Sequence, residues 1–103
     1  MDLGLNGKVA VVTGGSEGIG RGAAQSLGRE GVSVVVCARR ADVLQQTAAE
    51  VAEATGAQIV PVAADVSVAA DIERVIQAAV DTFGGLDILV NNAGTSEPDR
   101  SNR

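Results

Sequence analysis

Short β-branched runs alternate along this chain with stretches whose apolar residues recur every three or four positions. Residues 8–13 read as a buried strand that ends in a glycine cluster, the mark of a tight turn. Ile19, Ala23 and Leu27 then give the apolar stripe of a helix, which glycine closes near Gly31. Residues 32–38 predict a second buried strand. Val43, Leu44, Thr47, Ala48, Val51 and Ala54 predict a second helix, stopped at Gly56. Residues 59–63 form a third strand, and Pro61 places it on a sheet edge, where a missing backbone N–H is tolerated. Ser67 or Asp71 is expected to cap a third helix that buries Ile72, Val75, Ile76, Ala79, Val80 and Phe83 and stops at Gly84-Gly85. Residues 86–90 are the fourth strand.

This order, βαβαβαβ without an internal repeat, predicts an α/β domain over residues 1–94: a parallel sheet of order 3-2-1-4 with right-handed crossovers, half of a doubly wound fold. Residues 95–103 are polar, hold Pro98 and follow neither period, so a disordered tail is expected there.

Composition narrows the function classes. A chain of 103 residues holds one domain, and abundant Ala, Val and Gly with one Phe, no Trp and no Tyr suit thin sheet layers under closely packed helices. A net charge of −5 argues against nucleic acid or anionic lipid as a partner. Cys37 is the single cysteine and histidine is absent, so neither an intramolecular disulfide nor a transition-metal site is expected. Residues 1–7 show no signal segment and no run approaches the roughly 20 apolar residues of a membrane span, which makes the cytoplasm the expected compartment.

The chemistry is concentrated between the first strand and the first helix, where residues 13–20 read Thr-Gly-Gly-Ser-Glu-Gly-Ile-Gly. Glycines at 14, 18 and 20 remove Cβ atoms where the backbone must turn and approach a pyrophosphate, whose charge free N–H groups at a helix start stabilise. Two further motifs follow in order: Asp65-Val66 after the third strand, and Asn91-Asn92-Ala93-Gly94 after the fourth. Taken singly, Asp65 could be a helix cap and the Asn-Asn-Ala-Gly run a loop entry. Together and in this order the three motifs resemble the N-terminal, cofactor-binding portion of the short-chain dehydrogenase/reductase family, whose fold is of the Rossmann type.

The resemblance implies that Thr13 is structural and that Gly14, Ser16, Gly18, Ile19 and Gly20 surround cofactor phosphates and ribose. It further implies that Asp65 and the Val66 amide address adenine, that the Asn91 and Asn92 amides brace the central sheet beside the cofactor, and that Ala93 and Gly94 admit the adenosine ribose. For the choice of cofactor, the second strand ends in Cys37-Ala38-Arg39-Arg40, with no acid to hold a ribose 2′-hydroxyl. Arg39, with Arg40 beside it, offers a planar donor pair to a 2′-phosphate, so NADP is expected ahead of NAD. Glu17, where many NADP-preferring relatives carry a base, opposes that preference.

Family chemistry requires a tyrosine, a lysine four residues beyond it, and a serine. This sequence contains no tyrosine, and Lys8 is its only lysine. No catalytic residue is therefore assigned, and no general acid is available to a developing alkoxide. The expectation is the cofactor-binding part of an oxidoreductase acting on a carbonyl or alcohol, truncated before its catalytic segment. The alternative is a free-standing nucleotide-binding or interaction module, with self-association through an exposed fourth-strand edge. A methyltransferase would want an acid where Ala38 stands.

Overall fold

The computed structural model describes residues 4–14 and 18–91. Four strands, β1 (Val9–Thr13), β2 (Ser33–Ala38), β3 (Ile59–Ala63) and β4 (Ile88–Asn91), alternate with three helices, α1 (Gly18–Arg29), α2 (Ala41–Thr55) and α3 (Ala69–Phe83). The strands pair in parallel in the order β3-β2-β1-β4, as the alternation requires. Pro61 lies on the edge strand β3, opposite Val36 of β2.

Because strand side chains alternate between faces, the valine-rich runs feed two separate cores. Ala10 and Val12 of β1 join Val34 and Val36 of β2 under α1 and α2, where Ala24, Leu44, Ala48 and Val51 complete the layer. Val9, Val11, Val35 and Cys37 face the other way, onto Val75 and Ala79 of α3. Two crossovers carry the chain from β1 outward to β3; the third returns it past β1 to β4, and that reversal places α3 on the opposite face.

Element ends follow local rules. Gly56 and Gly84, at φ 75° and 88°, close α2 and α3 in the left-handed conformation that costs other residues most, and their N–H groups return to Ala52 and Val80. β1 begins at Val9 rather than Lys8, and β2 at Ser33 rather than Val32. β4 is shifted from residues 86–90 to Ile88–Asn91, because Asp87 is taken up in clamping the start of β1. Its N–H donates to the Val9 carbonyl at 2.8 Å, and its carboxylate accepts the Val9 N–H at 2.9 Å.

The helix faces depart from the expected stripes in all three helices: α2 buries Leu44, Thr47, Ala48 and Val51, but Ala54, in its last turn, is exposed. α1 buries Gly20, Ala24 and Gly28, one position round from the expected stripe; Ile19 is 77% exposed, and Ala23 and Leu27 flank the core. Small residues let α1 lie close to its neighbours: a Cβ at Gly28 would meet Thr55 Oγ1 of α2 at 2.9 Å. α3 buries only Val75 and Ala79, leaving Ile72, Ile76 and Val80 exposed, because among the described residues no second helix lies beside it on that face. The α3 N-cap is Val68, without a side-chain bond; Ser67 and Asp71, expected as caps, both turn toward Asp65.

Among the described residues no helix is long and apolar enough to cross a membrane. The 95–103 tail lies outside the described residues.

The Gly28 contact generates a test. Gly28→Ala forces a methyl group against the Thr55 side chain and is expected to destabilise the fold by about 1–3 kcal/mol, read as a lower denaturant midpoint at unchanged slope.

Candidate functional site

The C-terminal strand ends gather at one edge of the sheet, where the order reverses between β1 and β4. Open α/β sheets bind ligands at such a reversal, since the connections leave it in opposite directions and open a crevice. Thr13 fixes the two strands there: its hydroxyl lies 3.0 Å from Asn91 Oδ1 and 3.3 Å from the Val90 carbonyl. Gly14 continues from β1 with φ 69° and donates its N–H to the Cys37 carbonyl at 2.8 Å, so the turn is pinned to β2 as well. Gly18 opens α1 at φ 60°, and an added Cβ there would meet nothing within 4 Å, which makes backbone conformation its constraint.

Gly18, Ile19 and Gly20 form the first turn of α1, whose N–H groups have no intrahelical acceptor. Gly20 is buried, whereas the Ile19 side chain stands in solvent at the mouth of the turn. Ser16, within the glycine loop, and Asn92, Ala93 and Gly94, beyond β4, lie outside the described residues.

On the β2 and β3 side the charged groups separate into different roles. Arg40 is the residue before α2, and its guanidinium pairs with Asp42 at 3.4 Å. Arg39 is exposed and makes no ion pair among the described residues, yet its charge reaches Asp65. The Ser67 hydroxyl and amide, followed by Arg39, hold the Asp65 carboxyl below its ordinary 3.8. Ser67 uses one oxygen only: its N–H and hydroxyl both donate to Asp65 Oδ1, at 2.9 and 2.6 Å. Asp65 Oδ2 and the Val66 N–H have no partner among the described residues, a charged acceptor beside a free donor. Burial pushes the Cys37 thiol up, which keeps it protonated and inert at neutral pH.

This set fits a dinucleotide. Two glycines with positive φ at a helix start suit a pyrophosphate, and the acceptor and donor of Asp65 and Val66, without partners among the described residues, suit a base edge. Lys8 precedes β1 and therefore sits at the opposite end of the sheet. Pattern reading missed the support beneath Asp65: Asp71 and Arg74, whose bonds run back from α3 to the end of β3. Their signal was an acid six residues beyond Asp65, a spacing equally suited to a cap.

The short chain dehydrogenase family model matches residues 8–103. The chain belongs to that family. It is 44% identical over 93 residues to an uncharacterized oxidoreductase of Methylorubrum extorquens, covering 90% of this chain and 38% of that protein. It is 45% identical over 92 residues to the hydroxynaphthalene reductase of Aspergillus fumigatus, covering 89% and 34%. Among solved structures, L-sorbose reductase from Gluconobacter frateurii, complexed with NADPH and L-sorbose, superposes with a TM-score of 0.87 at 44% identity, over 91% of this chain and 36% of that one. This short-chain dehydrogenase chain spans little more than a third of the length of these relatives.

Acid titration probes the carboxylates. Asp65 is held low by Ser67, Asp42 by the Val43 amide and then Arg40, and Glu50 by Arg21 and then Gln46. Each folded-state pKa lies below the unfolded value, so the stabilisation is complete above about pH 5 and lost as pH falls through about 4 and below. The melting temperature should stay level from about pH 7 to 5 and then drop, by less at high salt because all three groups are solvent-screened.

A second test concerns the strand junction. Thr13→Val removes the hydroxyl bridge to β4 and leaves Asn91 Oδ1 without that donor. A loss of about 1–3 kcal/mol is expected by chemical denaturation.

Proposed function

We propose that this chain binds NADP(H), serving as the N-terminal, cofactor-holding part of an oxidoreductase that interconverts a carbonyl and an alcohol. The observation that carries the reading is Arg39: it follows β2 directly and makes no ion pair among the described residues, and the strand finishes in Ala38 rather than an acid. An acid there would hold a ribose 2′-hydroxyl, whereas a guanidinium accommodates a 2′-phosphate. NADPH in the solved L-sorbose reductase supports the same choice.

In this reading Gly14, Ser16, Gly18, Ile19 and Gly20 receive the pyrophosphate and its ribose, Arg39 the 2′-phosphate, Asp65 and Val66 the adenine, and Ala93 and Gly94 the adenosine ribose, with Asn92 bracing the sheet end beside them. Arg40 is the weaker candidate, since Asp42 already occupies its guanidinium. A dinucleotide held by these residues would carry the hydride to or from the substrate. This chain's residues supply the buried end of β1, the start of α1 and the Arg39 guanidinium, while the sequence has no tyrosine and its Lys8 lies at the opposite end of the sheet.

A second reading, a nucleotide-binding module that associates through β4 with another chain, draws on the apolar surface beside that edge. Leu89 of β4 is 59% exposed, and Ile72, Ile76 and Val80 of α3 are uncovered. Concentration-dependent sedimentation with nucleotide bound favours the module; a monomer at all concentrations counts against it.

The cofactor assignment is tested by fluorescence titration with NADPH and NADH. Arg39→Ala should weaken NADPH binding roughly tenfold to a hundredfold while leaving NADH nearly unchanged, the worth of one charged hydrogen-bonding contact. Equal affinity of the unmodified chain for both dinucleotides would overturn the NADP(H) assignment. No NADPH-dependent ketone reduction is expected from the purified chain.

A further inference from the structure

The turn that carries Asp65 and Val66 is held from behind by α3. The Asp65 N–H donates to Asp71 Oδ2 at 2.9 Å. Asp71 Oδ1 pairs with the Arg74 guanidinium at 3.4 Å, and Arg74 donates to the carbonyl of Ala63, the last residue of β3, at 2.9 Å. One carboxylate thus ties the Asp65 backbone to an arginine that is itself anchored on the strand. From the other side Ser67 fills Asp65 Oδ1. With Oδ1 and the Asp65 N–H both engaged, the groups left without a partner among the described residues are Asp65 Oδ2 and the Val66 N–H, an acceptor on one residue and a donor on the next.

That order is the complement of one purine edge. Adenine offers a 6-amino donor and an N1 acceptor; hypoxanthine offers a 6-oxo acceptor and an N1–H donor, which would set oxygen against carboxylate and N–H against N–H. Resting on the reading that this turn receives the base of NADP(H), we propose that Asp71 is the positioning residue for base selection, fixing the Asp65 backbone so that the acceptor–donor pair discriminates adenine from hypoxanthine. Loss of Asp71 frees the Asp65 peptide to rotate and leaves its N–H without that acceptor. Discrimination should suffer more than affinity, because contacts to the phosphates do not depend on this turn.

The test is the ratio of dissociation constants for NADPH and reduced nicotinamide hypoxanthine dinucleotide phosphate, measured on the full chain by the fluorescence of the reduced nicotinamide. The unmodified chain is expected to favour adenine by about tenfold or more, the scale on which a site built to hydrogen-bond one group rejects its inverse. Asp71→Asn keeps an oxygen that can accept the Asp65 N–H and should preserve most of that ratio. Asp71→Ala should bring it to within about threefold of unity, with Arg74→Met in between. A ratio unchanged in Asp71→Ala, as when both dinucleotides weaken equally, would overturn the proposal and leave Asp71 a merely structural residue. If Asp71→Ala fails to fold by circular dichroism, Arg74→Met decides: a reduced ratio supports the proposal and an unchanged one overturns it. An unmodified chain that binds NADPH without preferring adenine removes the base-reading role of Asp65 and this inference with it, whereas one that binds neither dinucleotide overturns the cofactor reading itself.

Discussion

β1 is hydrogen-bonded to β2 on one side and β4 on the other, and it is covered on both faces. A strand so enclosed can expose no side chain to water, which is why Val9, Ala10, Val11 and Val12 are all buried and the run lacks polar–apolar alternation. Its C-terminal end is also the point where the sheet order reverses. The buried strand therefore delivers Thr13 and Gly14 to the crevice with little freedom of position, and the Thr13 hydroxyl and Gly14 N–H extend that rigidity to β4 and β2. The remaining parts of the candidate site are placed relative to this strand end.

Close packing on the α1–α2 face follows from small side chains. With Gly20, Ala24 and Gly28 turned inward, α1 comes near enough for Gly28 to abut Thr55, while Arg21 and Glu50 pair across the outer rim at 2.8 Å. Thr55 has its own hydrogen bonds, donating to the Val51 carbonyl and accepting the Ala57 N–H, so it cannot swing aside without breaking them. The start of α1 at Gly18 and Ile19 is thus tied to packing at the far end of the same helix.

The other face is differently built. α3 touches the sheet through Val75 and Ala79 and presents Ile72, Ile76 and Val80 outward, with Leu89 exposed on β4. Its first turns nonetheless have a definite role. Asp71 and Arg74 hold the end of β3, so that the helix whose apolar face is least covered is also the one that orders the Asp65 turn.

Sequence by itself determined the element order, the sheet order and the strand ends that make up the candidate site. Periodicity reports which residues avoid water, and an unbroken alternation of strands and helices admits few topologies. Pro61 pointed to the edge strand and the glycines to the helix stops for reasons local to the backbone. Tertiary structure decided what depends on neighbours: that α1 buries its glycines and alanine rather than Ile19, that α3 leaves three aliphatic residues uncovered, and that Asp42 engages Arg40 but not Arg39. It also decided that Asp71 serves the Asp65 turn instead of capping α3. The physical reason is the same in each case: an apolar stripe or a carboxylate has several partners compatible with its own chain segment, and only the arrangement of other segments selects one.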